Sequence, residues 1–173
     1  RNRRNERAGP LPSANPEAHS AQGSPVSQPP LVFITGASSG IGQALAARFR
    51  AAGYRLALVA RREAEVRAWA QAQGCTDAGV YAADVRDLAA IEAAGRACIA
   101  AQGVPDVVIA NAGISVGIDT EVFDDLEVMR ATYETNVIGV AATFHPFLRA
   151  MRARRRGTLV GIASVAGFRG LPG

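Results

Sequence analysis

The chain has 173 residues, is 49% hydrophobic and carries a net charge of +4, enough apolar residue to fill one globular core. No apolar run approaches the roughly 20 residues that span a bilayer, so no membrane partner is expected. The positive charge does not mark a nucleic-acid binder either: residues 1–30 hold four Arg against Glu6 and Glu17, and residues 31–173 hold fifteen Arg against thirteen acids, close to balance.

Residues 1–30 are polar, rich in Pro and Ser, and lack apolar periodicity. Such a segment cannot bury enough surface to offset its ordering entropy. It reads either as a disordered leader or as an extension upstream of a true start at Val26. Cys75 and Cys98 form neither a metal-ligand pattern nor a disulfide framework, and both read as reduced, mostly buried thiols. No metal site is expected.

From Leu31 onward short apolar runs alternate with longer periodic stretches. LVFIT (31–35), LALVA (56–60), GVYAAD (79–84), VVIAN (107–111) and TLVGIA (158–163) read as strands apolar on both faces. Helical spacing predicts helices over 41–52, 62–73 and 87–102. Over 124–152, Leu126, Met129, Tyr133, Val137, Val140 and Phe144 line one face of a long helix, with a kink expected at Pro146. The basic run RARRR at 152–156 reads as its solvated end. Strand–helix alternation with doubly apolar strands implies an α/β fold, a parallel sheet covered by helices on both sides.

The segment TGASSGIG (35–42) closes the first strand and opens the first helix. That is where a dinucleotide pyrophosphate meets the unpaired N–H groups of a helix N-terminus. Gly36 permits the tight turn, Gly40 lets the backbone approach the phosphates, and Gly42 allows close packing; Ser38, Ser39 and Ile41 complete the loop. The second strand ends VARR, with Ala60 where an acid would otherwise bond a ribose 2′-hydroxyl. Arg61 and Arg62 follow, and guanidinium forks pair with a 2′-phosphate. The expected cofactor is NADP(H).

The G-x-x-x-G-x-G spacing resembles that of the short-chain dehydrogenase/reductase family, and four further stretches are similar in order and spacing. They are Asp84-Val85 ending the third strand, Asn111-Ala112-Gly113 ending the fourth, TNVIG at 135–139, and GTLVGIASVAG at 157–167. The resemblance implies a Rossmann-like doubly wound sheet, with Asp84 and Val85 at the adenine and Asn111, Ala112 and Gly113 shaping the cofactor cleft. It implies Ser164 as the group that holds a substrate carbonyl or alcohol, and Asn136 as support for a proton relay.

The family's mechanism also needs a Tyr general acid/base and a Lys four residues later, in family spacing roughly a dozen residues beyond the serine. The sequence contains no Lys, and its three tyrosines, Tyr54, Tyr81 and Tyr133, stand elsewhere. On the resemblance, the chain is expected to be a fragment with its sheet cut after the fifth strand and inactive alone. Residues 31–173 would form an incomplete NADP-binding domain, and the complete protein a cytoplasmic homodimer or homotetramer. The alternatives are a non-catalytic NADP(H)-binding module, or a relative performing epimerisation or dehydration.

Overall fold

The computed structural model describes residues 28–165. Its sheet has five parallel strands: β1 (Leu31–Thr35), β2 (Arg55–Ala60), β3 (Gly79–Ala82), β4 (Val107–Ala110) and β5 (Thr158–Gly161), in the order β3-β2-β1-β4-β5. Five α-helices connect them: α1 (Gly40–Ala51), α2 (Glu63–Ala72), α3 (Leu88–Gln102), α4 (Asp125–Tyr133) and α5 (Gly139–Arg154). The described end of the leader, residues 28–30, is exposed and tied to β2. Arg55 donates its backbone N–H to the Pro30 carbonyl at 2.8 Å and its Nε to that of Pro29 at 3.1 Å.

The two-residue repeat of a strand explains both layers. In β1, Leu31 and Phe33 face one core with Ala57, Val59, Val108, Ile91, Cys98, Phe147 and Met151. Val32 and Ile34 face the other, with Leu56, Leu58, Ala46, Val66, Ala70 and Ile109. Helices α3 and α5 thus cover one face and α1 and α2 the opposite one. Phe33 and Phe147 meet edge to face with centroids 4.7 Å apart, and both are fully buried. Truncating either to Ala costs about 3–5 kcal/mol. Cys75 and Cys98 are buried and unpaired.

The long helix predicted over 124–152 is an unbroken helical run over 125–154, made of α4, a π turn at Glu134–Ile138, and α5. The turn adds a residue to one helical circuit, as π turns do, and Thr135 Oγ1 donates back to the Ala131 carbonyl at 2.8 Å within it. The chain then stays helical through Pro146 to Arg154. The apolar stripe counted in the sequence is not the buried face. Thr135, Gly139, Thr143, Phe147 and Met151 point inward, while Tyr133 and Val137 are 62% and 54% exposed.

The basic run 152–156 is also more than a solvated end. Arg156 pairs with Asp106 at 2.7 Å, and Arg154 donates to the carbonyls of Val104 and Pro105. Asp106 accepts the Leu31 N–H at 2.9 Å, and its carbonyl accepts that of Thr158 at 2.9 Å. One aspartate therefore joins the starts of β1, β4 and β5 to the end of α5. Beyond β4, β5 is the edge of the sheet among the described residues, with Leu159 41% exposed.

Candidate functional site

The chain leaves β1 to build outward through β2 and β3, then returns to place β4 on the other side of β1. Loops diverge at that reversal, and a crevice opens beyond the strands' carboxyl ends. A cleft of about 370 Å³ lies there. Every cofactor residue expected from the sequence lines it except Gly42, which sits behind the turn.

The turn after β1 depends on close approach. Gly36 has φ +69°, and a Cβ on it would stand 2.8 Å from the Ala112 Cα. A Cβ on Gly42 would overlap the Gly36 carbonyl oxygen and come within 2.9 Å of the Asn111 Nδ2. No side chain fits between the first turn of α1 and the loop beneath it. Gly40, which opens α1, has only open space where a Cβ would be. The Ser39 side chain makes no capping bond at that helix start, so the first-turn amides are not closed off by their own cap. Gln43 Nε2 donates to the Ser38 carbonyl at 2.9 Å and braces the loop.

Thr35 and Asn111 lock this turn to the neighbouring strand. Asn111 donates Nδ2 to the Thr35 and Gly36 carbonyls at 3.0 and 3.3 Å. The buried Thr35 hydroxyl accepts the N–H groups of Asn111 and Ala112 at 3.2 and 3.3 Å. Sequence reasoning named Asn111 but missed Thr35; its signal was a hydroxyl at the last inward position of an otherwise apolar strand.

The far end of the cleft is cationic. Arg61 and Arg62 line it as expected, and Arg86, which sequence reasoning missed, joins them. Arg62 donates to the Ser38 Oγ at 3.2 Å and pairs with Glu65 at 3.2 Å. Arg86 forks onto Asp84, with Nη2 at 2.9 Å and Nε at 3.3 Å, and its backbone N–H meets Oδ1 at 3.0 Å. Arg61 reaches the same carboxylate only at 3.7 Å. The Arg86 hydrogen bond, its backbone N–H and the nearby Arg61 charge hold the Asp84 carboxyl below its usual range, against a smaller opposing effect of burial. Val85 follows, 5% exposed. A Cβ on Gly139 would press within 2.7 Å of its side chain, so the start of α5 closes directly on this wall.

Asn136, in the π turn, holds the other wall. Its Nδ2 donates to the Ile114 carbonyl at 2.7 Å and its Oδ1 accepts the Ile114 N–H at 2.9 Å. Both ends of the amide thus fix the backbone next to Gly113. Ser164 stands three residues past β5, exposed and outside the residues that line the cleft. The last two residues of the 157–167 stretch, Ala166 and Gly167, lie outside the described residues.

No tyrosine lines the cleft. Tyr54 packs edge to face on Phe49, and Tyr133 faces outward. Tyr81 donates its hydroxyl to Gln102 Oε1 at 3.0 Å, and burial, with the Cys98 thiol beside it, pushes its phenol up to about 12. Among the described residues no His, Cys, Asp and Glu cluster could hold a metal, and no helix is long and apolar enough to cross a membrane.

The family profile described as short chain dehydrogenase matches residues 30–173. An uncharacterized oxidoreductase of Myxococcus xanthus is 41% identical over 82% of this chain and 56% of its own length. A sulfoacetaldehyde reductase of Chromohalobacter salexigens is 34% identical over 82% and 57%. The crystal structure of a short-chain dehydrogenase from Streptomyces avermitilis superposes with a TM-score of 0.76 at 32% identity, covering 84% of this chain and 53% of that one. The chain spans about half the length of the curated relatives it matches. It belongs to the short-chain dehydrogenase family, whose members bind a nicotinamide dinucleotide.

Proposed function

We propose that the chain is the cofactor-binding part of an NADP(H)-dependent oxidoreductase acting on a carbonyl or a secondary alcohol. The observation that carries this reading is the pair Arg61 and Arg62 at the end of β2, where Ala60 replaces an acid, facing the same cleft as the open first turn of α1. A dinucleotide with a 2′-phosphate is anionic at two places, and the cleft offers a donor set for each. Helix N–H groups suit the pyrophosphate; guanidinium forks suit the 2′-phosphate. No Cβ blocks the approach at Gly40.

A nicotinamide held in this cleft would supply hydride transfer to or from the substrate carbon. The protein's own residues then position and polarise. Thr35 and Asn111 fix the glycine turn, Asp84 and Val85 form the adenine wall, and Asn136 pins the backbone at Ile114. The Ser164 hydroxyl donates to the substrate oxygen. The proton on that oxygen needs a further acid–base group, and Tyr81 is unsuited, being bonded to Gln102 and pushed up to about 12. We assign that step to a Tyr-x-x-x-Lys pair outside this sequence. The sulfoacetaldehyde reductase relative supports a carbonyl substrate class. The outward apolar face at Tyr133 and Val137 supports a homodimer or homotetramer of the complete protein.

The test is NADPH consumption against a panel of aldehydes and ketones, by this chain and by a version extended with its natural downstream sequence. The extended protein should turn over, and Ser164→Ala should lower kcat by about 100-fold. Tight NADPH binding without turnover in the extended protein would favour a non-catalytic module instead.

A further inference from the structure

Arg61, Arg62 and Arg86 line one end of the cleft, and two of their guanidiniums, those of Arg61 and Arg86, meet a single carboxylate, Asp84. That carboxylate is a competitor: it can draw an arginine away from an anionic ligand, and it repels a phosphate itself. The two do not share it equally, and Arg62 turns instead to Glu65 and the Ser38 hydroxyl. Arg86 holds both oxygens through its side chain, at 2.9 and 3.3 Å, and caps Oδ1 with its own N–H. Arg61 touches only Oδ2, at 3.7 Å and with two-thirds of its side chain exposed.

We propose that Arg86 sets the cofactor discrimination of this cleft without touching the distinguishing phosphate. It occupies Asp84, neutralises it, and so leaves Arg61 free for the 2′-phosphate. The inference rests on the NADP(H) reading above and adds a residue to it. Without Arg86, Arg61 is the nearest remaining cation to Asp84 and closes the gap from 3.7 Å to direct contact. The phosphate then loses a partner or, where Arg61 stays with it, faces an Asp84 carboxylate that no cation neutralises. A dinucleotide lacking the 2′-phosphate feels neither change, because Asp84 on the adenine wall serves both cofactors alike. Arg86 is therefore a positioning residue, and its signature is a ratio of affinities rather than a loss of binding.

The experiment titrates the full chain with NADPH and NADH, following nucleotide fluorescence, in the wild type and in Arg86→Met, Asp84→Asn, the double variant and Arg61→Ala. Arg86→Met should weaken NADPH relative to NADH by about fivefold, the upper range for an exposed ion pair. Adding Asp84→Asn to Arg86→Met should return the ratio to within about twofold of wild type, since the competitor is then gone. An unchanged ratio in Arg86→Met, an equal loss for both nucleotides, or a double variant no better than the single one overturns the proposal. If Arg61→Ala lowers the ratio while Arg86→Met does not, the NADP(H) reading stands and only this proposal falls. If Arg61→Ala also leaves the ratio unchanged, or neither nucleotide binds, both fall.

Discussion

Asn111, just past β4, donates its side-chain amide to the carbonyls of Thr35 and Gly36 at 3.0 and 3.3 Å. The strand on one side of the fold's reversal is thereby bonded to the glycine turn on the other. On its other side the turn is held by the Ala37 N–H, which donates to the Val59 carbonyl of β2 at 3.1 Å, so Asn111 supplies the β4 half of its support. Asn111→Leu should destabilise the chain by about 1–3 kcal/mol in urea denaturation and weaken NADPH binding beyond what the lost stability explains. A variant with intact nucleotide affinity would show that the turn holds its shape unaided.

Gly42 is the tightest point of the same turn. Gly42→Ala must push the start of α1 away from the Gly36 carbonyl and Asn111, at a cost of about 1–3 kcal/mol. Gly117→Ala is the control, since nothing lies within 4 Å of a Cβ there, and it should stay within about 0.5 kcal/mol of wild type. Equal stabilities for the two variants would contradict the packing account.

Asp106 ties three strand starts to the end of α5. Burial pushes its carboxyl up, but the Leu31 N–H and the guanidiniums of Arg156 and Arg154 outweigh that and hold it below the usual range. A carboxyl depressed in the folded state contributes stability that is present above its unfolded pKa and lost as pH falls through the folded one. Melting temperature should drop as the pH is lowered from neutral to about 3, and Asp106→Asn should flatten that acid limb. An unchanged acid limb in the variant would remove Asp106 from the account.

Tyr81 gives the opposite case. Its phenol, raised to about 12, contributes stability that is present below the ordinary tyrosine value and lost only as pH climbs through about 12. Tyr81→Phe should cost about 1 kcal/mol, from the lost bond to Gln102, and should leave NADPH affinity unchanged. Loss of nucleotide binding in this variant would contradict its placement away from the cleft.

Much of this architecture was legible in the sequence because strand periodicity and glycine spacing are local signals. LVFIT buries all five residues, and its alternation between two cores follows from the pleat alone. The gathering of the expected cofactor residues around one cleft follows from their places next to strand ends. The long helix was misread in two respects. A π turn leaves no mark in an apolar count, and the buried face is built from Thr135, Gly139 and Thr143, which a hydrophobicity pattern ranks below the exposed Tyr133 and Val137. Arg86 and Thr35 were missed because each acts through a partner, Asp84 or Asn111, whose position only the folded chain defines. Arg154 and Arg156 looked like solvated charge because Asp106 is 50 residues away from Arg156.

The most direct test of the central claim is a calorimetric titration of the chain with NADPH and with NADH. The cationic end of the cleft should make NADPH bind at least about tenfold more tightly, with the advantage shrinking at high salt. Arg61→Ala should erase most of it. Equal affinities, or tighter binding of NADH, would contradict the assignment of this cleft to NADP(H).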